Sequence, residues 1–323
     1  MSIGIVVIGR NEGERLRRCL ESITGVTNSV VYVDSGSTDG SVTMARNIGS
    51  VVVSLDMTIP FTAARARNEG SNLLFRLVPD LDYVQFVDGD CELVSGWLEA
   101  AATFLDSHTN MAMVCGRLRE RHPDHSIYNQ FCDTEWDTPV GLTKACGGIA
   151  MVKVAAFVAT GGFRNDLIAG EEPELCLRLR AGGWKVWRLD AEMALHDAAM
   201  THLWQWWNRT LRTGYAYAEG AHLHGAPPER HLVKESRRAL IWGLGIPVVT
   251  VSMIVLLGAW GLVMLLIYPA QIARLALKDK RQVKRNWLRA LFLVLGKFPE
   301  TIGQLKYFYS RLVGKASHLI EYK

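Results

Sequence analysis

Cysteine is sparse and unpatterned in this chain. The six present, Cys19, Cys91, Cys115, Cys132, Cys146 and Cys176, include no CxxC pair and no spacing typical of a disulfide framework. That excludes a stapled secreted scaffold and reads as reduced cytosolic thiols. Charge imbalance is missing too. The net charge is only +4, and no nucleic-acid-binding module is recognisable, so no nucleic-acid partner is expected. No G-x-G-x-x-G occurs in the turn after 30–34, which leaves a dinucleotide fold unsupported. A Gly-rich N-terminal phosphate loop carrying Arg or Lys is also absent, which argues against a nucleotidyltransferase. The first apolar run, Ile3 to Ile8, is too short for a signal peptide and follows no basic residue; it reads as a strand. Neither internal repeats nor low-complexity tracts interrupt the chain. The largest absence is local. The 35 residues from Ala239 to Ala273 contain no charged side chain and no His. About 20 apolar residues span a bilayer as a helix, so this stretch is expected in or on a membrane.

What is present elsewhere is globular. With 323 residues and 21% charged side chains, the chain has length for one large domain or two smaller ones. Apolar runs at 3–8, 30–34, 51–54, 83–88 and 112–115 predict strands. Helical patterns at 13–24, 40–48, 62–76 and 95–106 separate them. Further strands are expected at 148–152 and 185–189, around a helix at 171–181. Strands alternating with helices predict an α/β fold with a mostly parallel sheet flanked by helices. A link with Gly225, Pro227 and Pro228 closes the globular part. The expected domains are therefore 1–225, with an interface helix near 202–220, and a membrane-associated helical region 226–323. The latter holds an apolar hairpin over 239–276 and an amphipathic tail over 284–315.

Ligands of such sheets bind beyond the carboxyl ends of the strands. Three acids are placed there. In "YVQFVDGDCEL", Asp88 and Asp90 are two residues apart and share a face of an extended chain, while Gly89 lets a ligand approach the backbone. Two hard oxygen donors suit Mg²⁺ or Mn²⁺ on a diphosphate. In "VVYVDSGSTDGS", Asp34 ends a strand before a turn opened by Ser35 and can reach a nucleobase or ribose, whereas Asp39 suits a helix cap. In "AGEEPELCLRLRAGGW", Glu171 and Glu172 open a helix. Either favourable placement against the helix dipole or a general base accounts for them. His196, after the 185–189 strand, is positioned to complete a metal site. Arg65 or Arg67 can supply a fixed cation.

In order, "VVIGRNEGERLRRCLESI", "VDSGSTDGS", "ARARNEG", "VDGDCEL", "CGGIAMVKVAAFVATGGF" and "AGEEPELCLRLRAGGWKV" resemble the family 2 glycosyltransferases of GT-A fold, over residues 2 to 215. The resemblance implies inverting transfer from a nucleotide-diphosphate sugar with a divalent metal, Mg²⁺ or Mn²⁺. It carries the nucleotide site onto Ile8, Gly9, Arg10, Glu12 and Asp34, the D-x-D motif onto Asp88 and Asp90, and the base onto Glu172, with Glu171 as its rival. The chain departs from the family pattern twice. Ser35 stands where a second Asp is common, and Glu172 stands where Asp is usual.

The remaining features concern the membrane. Arg230, Lys234, Arg237 and Arg238 precede the apolar stretch; Arg274, Lys278, Lys280, Arg281, Lys284, Arg285 and Arg289 follow it. Basic flanks mark the cytoplasmic side, so both ends of a hairpin are expected there, with the catalytic domain in the cytosol. "HLWQWWNRTLRTGYAYAEGAH" interleaves Trp204, Trp206, Trp207, Tyr215 and Tyr217 with Arg209 and Arg212, a composition suited to a headgroup interface. The expected acceptor is a glycan on a polyprenyl diphosphate, in surface or exopolysaccharide synthesis. The alternatives are direct transfer to polyprenyl phosphate and an inactive membrane scaffold. The scaffold predicts loss of cleft acids, yet Asp34, Asp88, Asp90 and Glu172 are all present.

Overall fold

The apolar runs become strands of one nine-stranded sheet, ordered β3-β2-β1-β4-β8-β6-β9-β5, with β7 paired to β9. The computed structural model describes residues 1–25, 27, 29–278 and 283–314. Two compact units divide it, Met1–Thr201 and His202–Lys323.

In the first unit, β1 (Ile3–Gly9), α1 (Glu14–Ile23), β2 (Val30–Asp34), α2 (Ser41–Asn47), β3 (Val51–Ser54), α3 (Ala63–Leu77) and β4 (Tyr83–Asp88) alternate as expected. These four strands are parallel. Near-continuous apolar runs fit strands covered on both faces: Ile5, Val6, Val7, Val31, Val33, Val84 and Val87 are fully buried. Helix α3 lies close upon β1 and β2 because Gly70 has no side chain; a Cβ there would stand 2.5 Å from Val6 and 2.8 Å from Val33.

Beyond β4 the sheet is mixed. β5 (Cys91–Leu93), α4 (Trp97–Ser107), β6 (Met111–Glu120), α5 (Ile127–Trp136), β7 (Gly141–Leu142), β8 (Ala150–Lys153), α6 (Val154–Ala159), α7 (Glu171–Ala181) and β9 (Lys185–His196) complete the unit. β8 runs antiparallel to β4 and β6, β5 and β7 run antiparallel to β9, and β6 and β9 are parallel. β9 is longer than its apolar start suggests, and His196 is its last residue.

The second unit is helical. It holds α8 (Leu203–His224), α9 (Val233–Leu240), a π-helical turn over 241–245, α10 (Ile246–Leu257), a 3₁₀ stretch over 258–266, α11 (Ile267–Lys278), α12 (Val283–Leu295) and α13 (Lys297–Val313). The boundary falls at Thr201/His202, ahead of the expected one near residue 225, because α8 packs on α13. Gly214 and Gly303 let those helices touch backbone to backbone: a Cβ on either would lie 2.0 Å from a carbonyl oxygen, of Glu300 or Leu211. Small residues at such crossings are how helices approach closely.

The helical run Val233–Lys278 is long and apolar enough to cross a membrane, and only 11% of its most apolar stretch is buried. It is not a straight rod. Gly258, at φ +60°, ends α10, and the chain folds back so that a Cβ on Gly261 would lie 2.3 Å from the Ile254 nitrogen. Tyr268 Oη then donates to the Trp242 carbonyl at 2.7 Å; a continuous α-helix would hold those residues about 39 Å apart. Val255, Leu256 and Trp260, at the turn, are among the most exposed apolar side chains. Lys280 and Arg281, the side chains of Lys284 and Arg285, and the tail from 315 lie outside the described residues.

Candidate functional site

Register gathers the acids. Gly9 pairs with Asp34, Ile8 with Asp88, and Asp34 with Ser54. The ends of four parallel strands therefore form one rim, with Asp34 and Asp88 about 10 Å apart at the usual strand spacing. Asp34 is buried and closes its own turn. Its Oδ1 accepts from Tyr32 Oη at 2.9 Å, and its Oδ2 from the Gly36 and Ser37 amides at 3.0 and 2.8 Å. The Ser35 amide donates to the Gly9 carbonyl at 3.0 Å. Arg10 sits over the Phe61 ring at 4.8 Å, and Glu12 pairs with Arg15 at 2.7 Å.

Sequence reasoning missed Asn11. At φ +55°, it joins the loop after β1 to the turn after β2: its amide donates to Ser37 Oγ at 2.8 Å and its Oδ1 accepts from the Thr38 amide at 2.7 Å. Asn tolerates this left-handed conformation better than other side-chain-bearing residues.

Arg67 joins the other half of the rim. Fully buried on α3, it donates through Nη2 to Asp88 at 2.8 Å and through Nη1 to Glu171 at 2.7 Å. Burial disfavours its charge, but Asp88 and Glu171 more than offset this and hold its pKa above the ordinary value. Arg65 turns elsewhere, to the carbonyls of Asp56 and Ile59.

Asp88 and Asp90 have different partners. Asp90 is buried, and its Oδ2 lies 3.1 Å from His196 Nε2. Ligand atoms of Asp90, Cys91 and His196 all fall within 4.8 Å of one another; Asp88, held by Arg67, is not in that cluster. The buried Cys91 thiol is pushed well up by burial, which leaves Asp90 and His196 as the ready donors. Carboxylate oxygen and imidazole nitrogen suit Mn²⁺, and less closely Mg²⁺, which prefers oxygen. Trp136 stacks on the His196 ring at 4.5 Å. It was missed although Tyr128, Cys132 and Trp136 recur every fourth residue, the mark of one helix face.

Glu171 and Glu172 part company. Glu171 faces Arg67. Glu172 turns inward: Oε1 accepts from the Cys146 amide at 2.6 Å and from Cys176 Sγ at 2.8 Å, and Oε2 from the Gly147 amide at 2.9 Å. Burial pushes its pKa up to about 7, against the pull of those three donors. Gly148 then runs over Arg67 and Asp88; a Cβ there would lie 2.8 Å from Arg67 Nη2 and 2.9 Å from Asp88 Oδ2.

A stability test follows. A folded pKa of about 7 against 4.5 unfolded means that the folded state binds more protons between those values. Its contribution is present below pH 4.5 and is lost as pH rises through 7, by roughly 3 kcal/mol. Glu172→Gln should flatten that part of the profile in urea melts from pH 4.5 to 8. Equal slopes in both proteins would mean that Glu172 is ionised throughout.

The expected interface residues all lie on α8. Trp206 is buried, packed edge-on against Phe292 of α12 at 4.9 Å; Trp207, Arg209 and Arg212 are half-buried. Trp204, on the same helix, is the most exposed of the group at 67%.

Taken with the parallel half-sheet and its rim of acids, the fold is that of GT-A domains. The mannosyltransferase PcManGT from Pyrobaculum calidifontis, solved with GDP-Man and Mn²⁺, superposes at TM-score 0.65 and 18% identity, covering 94% of this chain and 86% of that one. Residues 1–349 of TarS from S. aureus superpose at TM-score 0.51 and 14% identity, over 98% and 92%. Residues 4–142 match the family model described as "Glycosyl transferase family 2". Glycosyltransferase AglE of Haloferax volcanii is 23% identical over 197 residues, 57% of this chain and 63% of that protein. An uncharacterized glycosyltransferase of Rickettsia conorii is 39% identical over 51 residues, 16% and 18% of the two chains. The chain thus spans less than two thirds of the curated relatives it matches.

Proposed function

We propose that this chain is an inverting, metal-dependent glycosyltransferase working at a membrane surface. It moves a hexosyl group from a nucleotide-diphosphate sugar to a hydroxyl of a polyprenyl-diphosphate-linked glycan, in surface-polysaccharide synthesis. The observation carrying this reading is the single rim that joins Asp34, Asp88, Arg67 and Glu171, with Asp90 and His196 at the end of the same strand–turn. Ile8, Gly9, Arg10, Glu12, Asp34 and Ser35 would bind the nucleotide, with Gly89 giving its diphosphate room. Asp90 and His196 would hold Mg²⁺ or Mn²⁺, with Asp88 beside them. When bound, such an ion neutralises charge on the departing diphosphate. Arg67 adds a second cation aimed at the same place. Glu171 would take the proton of the acceptor hydroxyl as that oxygen attacks the anomeric carbon from the face opposite the diphosphate.

Membrane attachment is supported by the exposed apolar hairpin. Folded back at Gly258, it brings Arg237 and Arg238 to the same side as Arg274 and Lys278. A surplus of Lys and Arg marks that side as cytoplasmic. Such attachment suits an acceptor carried on a lipid.

A panel of nucleotide sugars, GDP-mannose included, tests this. Each is mixed with Mn²⁺ or Mg²⁺ and with vesicles carrying either polyprenyl-diphosphate-linked glycan or polyprenyl phosphate. Nucleotide release dependent on metal and on the glycan-bearing vesicles is expected. Release with polyprenyl phosphate alone would assign the simpler acceptor. Release with neither, from folded protein, would leave the scaffold.

A further inference from the structure

Three thiols meet behind the cleft. Cys115 lies on β6, Cys146 on the loop before β8, and Cys176 one turn after Glu172 on α7. The sulfurs of Cys146 and Cys176 and a Glu172 oxygen all lie within 4.8 Å of one another. The Cys146 thiol also neighbours that of Cys115. All six cysteines are free.

Two sulfurs and one carboxylate are a donor set for a tetrahedral ion of the zinc class with one position left open, whereas Mg²⁺ and Mn²⁺ prefer oxygen-rich sites. Glu172 and Cys176, at i and i+4, share one helix face. Cys146 is only half-buried and gives an ion its way in. We propose that Cys146, Cys176 and Glu172, with the Cys115 thiol beside them, form a second cation site, specific for a soft divalent ion and separate from the pair Asp90 and His196.

Loading this site has a consequence at the rim, which rests on the sugar-transfer reading. Cys176 Sγ and Glu172 Oε1 stand 2.8 Å apart, whereas two such ligands of one zinc ion stand roughly 3.5 Å apart. Binding therefore spreads them. The Glu172 carboxylate also holds the amides of Cys146 and Gly147, and Gly148 follows with no clearance to Arg67 and Asp88. Occupancy shifts that loop against the pair and slows transfer.

Cobalt(II) is the probe. It is titrated into the full chain in excess Mn²⁺, which keeps the Asp90 and His196 site filled. A sulfur-to-cobalt charge-transfer band that Zn²⁺ abolishes is expected in the wild type and absent from the Cys146→Ser, Cys176→Ser double variant. Serine at 176 keeps a donor for Glu172. No such band, or the same band in the double variant, overturns the proposal. Alkylation of the native chain decides the matter without any variant: zinc should protect Cys146, and equal labelling with and without zinc overturns it. Neither readout depends on sugar transfer, so failure here leaves the proposed activity standing. An intact band with unchanged turnover would overturn the coupling to the rim.

Discussion

Asp90→Ala should abolish metal-dependent transfer, by about 10³-fold or more, since a catalytic cation supplies several kcal/mol and each 1.36 kcal/mol is tenfold. Asp90 also accepts from Cys91 Sγ at 3.4 Å through its Oδ1. Its backbone carbonyl accepts from the Asp197 amide at 3.0 Å, a bond that alanine keeps. What alanine removes is the oxygen 3.1 Å from His196 Nε2. The loss should therefore appear in Mn²⁺ affinity, measured by calorimetry on folded protein, and in donor affinity only when metal is present. His196→Ala should weaken Mn²⁺ less, because a carboxylate remains. A purely structural role for Asp90 predicts a lower melting temperature with Mn²⁺ affinity unchanged, and that pair of results would remove it from the site.

The parallel half of the fold was legible because its strands are apolar apart from their ends and Gln85 of β4, and each ends at a marked residue: Gly9, Asp34, Ser54, Asp88. The mixed half was less so. β5 is three residues long and β7 two, too short for any period to register. β6 and β9 continue past their apolar starts into Arg117, Arg119 and Glu192, because irregular pairing between the two strands turns charged side chains outward. The site shows the same division. Asp34, Asp88 and Asp90 stand at strand ends and are visible as such. The partition of Glu171 from Glu172 is not, since adjacent residues on a first helical turn differ in direction by about 100° and only tertiary packing fixes which one faces the cleft. Arg67 was one of two candidates for the same reason. The apolar stretch was legible from its missing charge, but its fold-back needed Gly258 and the contact of Tyr268 with Trp242 to be seen together.

Glu171→Gln should keep donor binding and lose turnover by about 10²–10⁴-fold, the range of a general base. Glu171 is the acid that Arg67 joins to Asp88, at 2.7 and 2.8 Å, which is why the proposed base role falls to it. Glu172 has both oxygens engaged by three inward donors; to act as base it would have to release the loop that carries Gly148. The two variants therefore separate in kind. Glu171→Gln lowers kcat with the donor's dissociation constant held within a few fold, because glutamine still accepts from Arg67. Glu172→Gln, losing one acceptor, loosens the 146–148 loop and raises KM more than it lowers kcat. Rapid-quench turnover at saturating donor, set beside equilibrium donor binding, measures both. Near-normal turnover in Glu171→Gln with a collapse in Glu172→Gln would transfer the base to Glu172 and require the loop to open during each cycle.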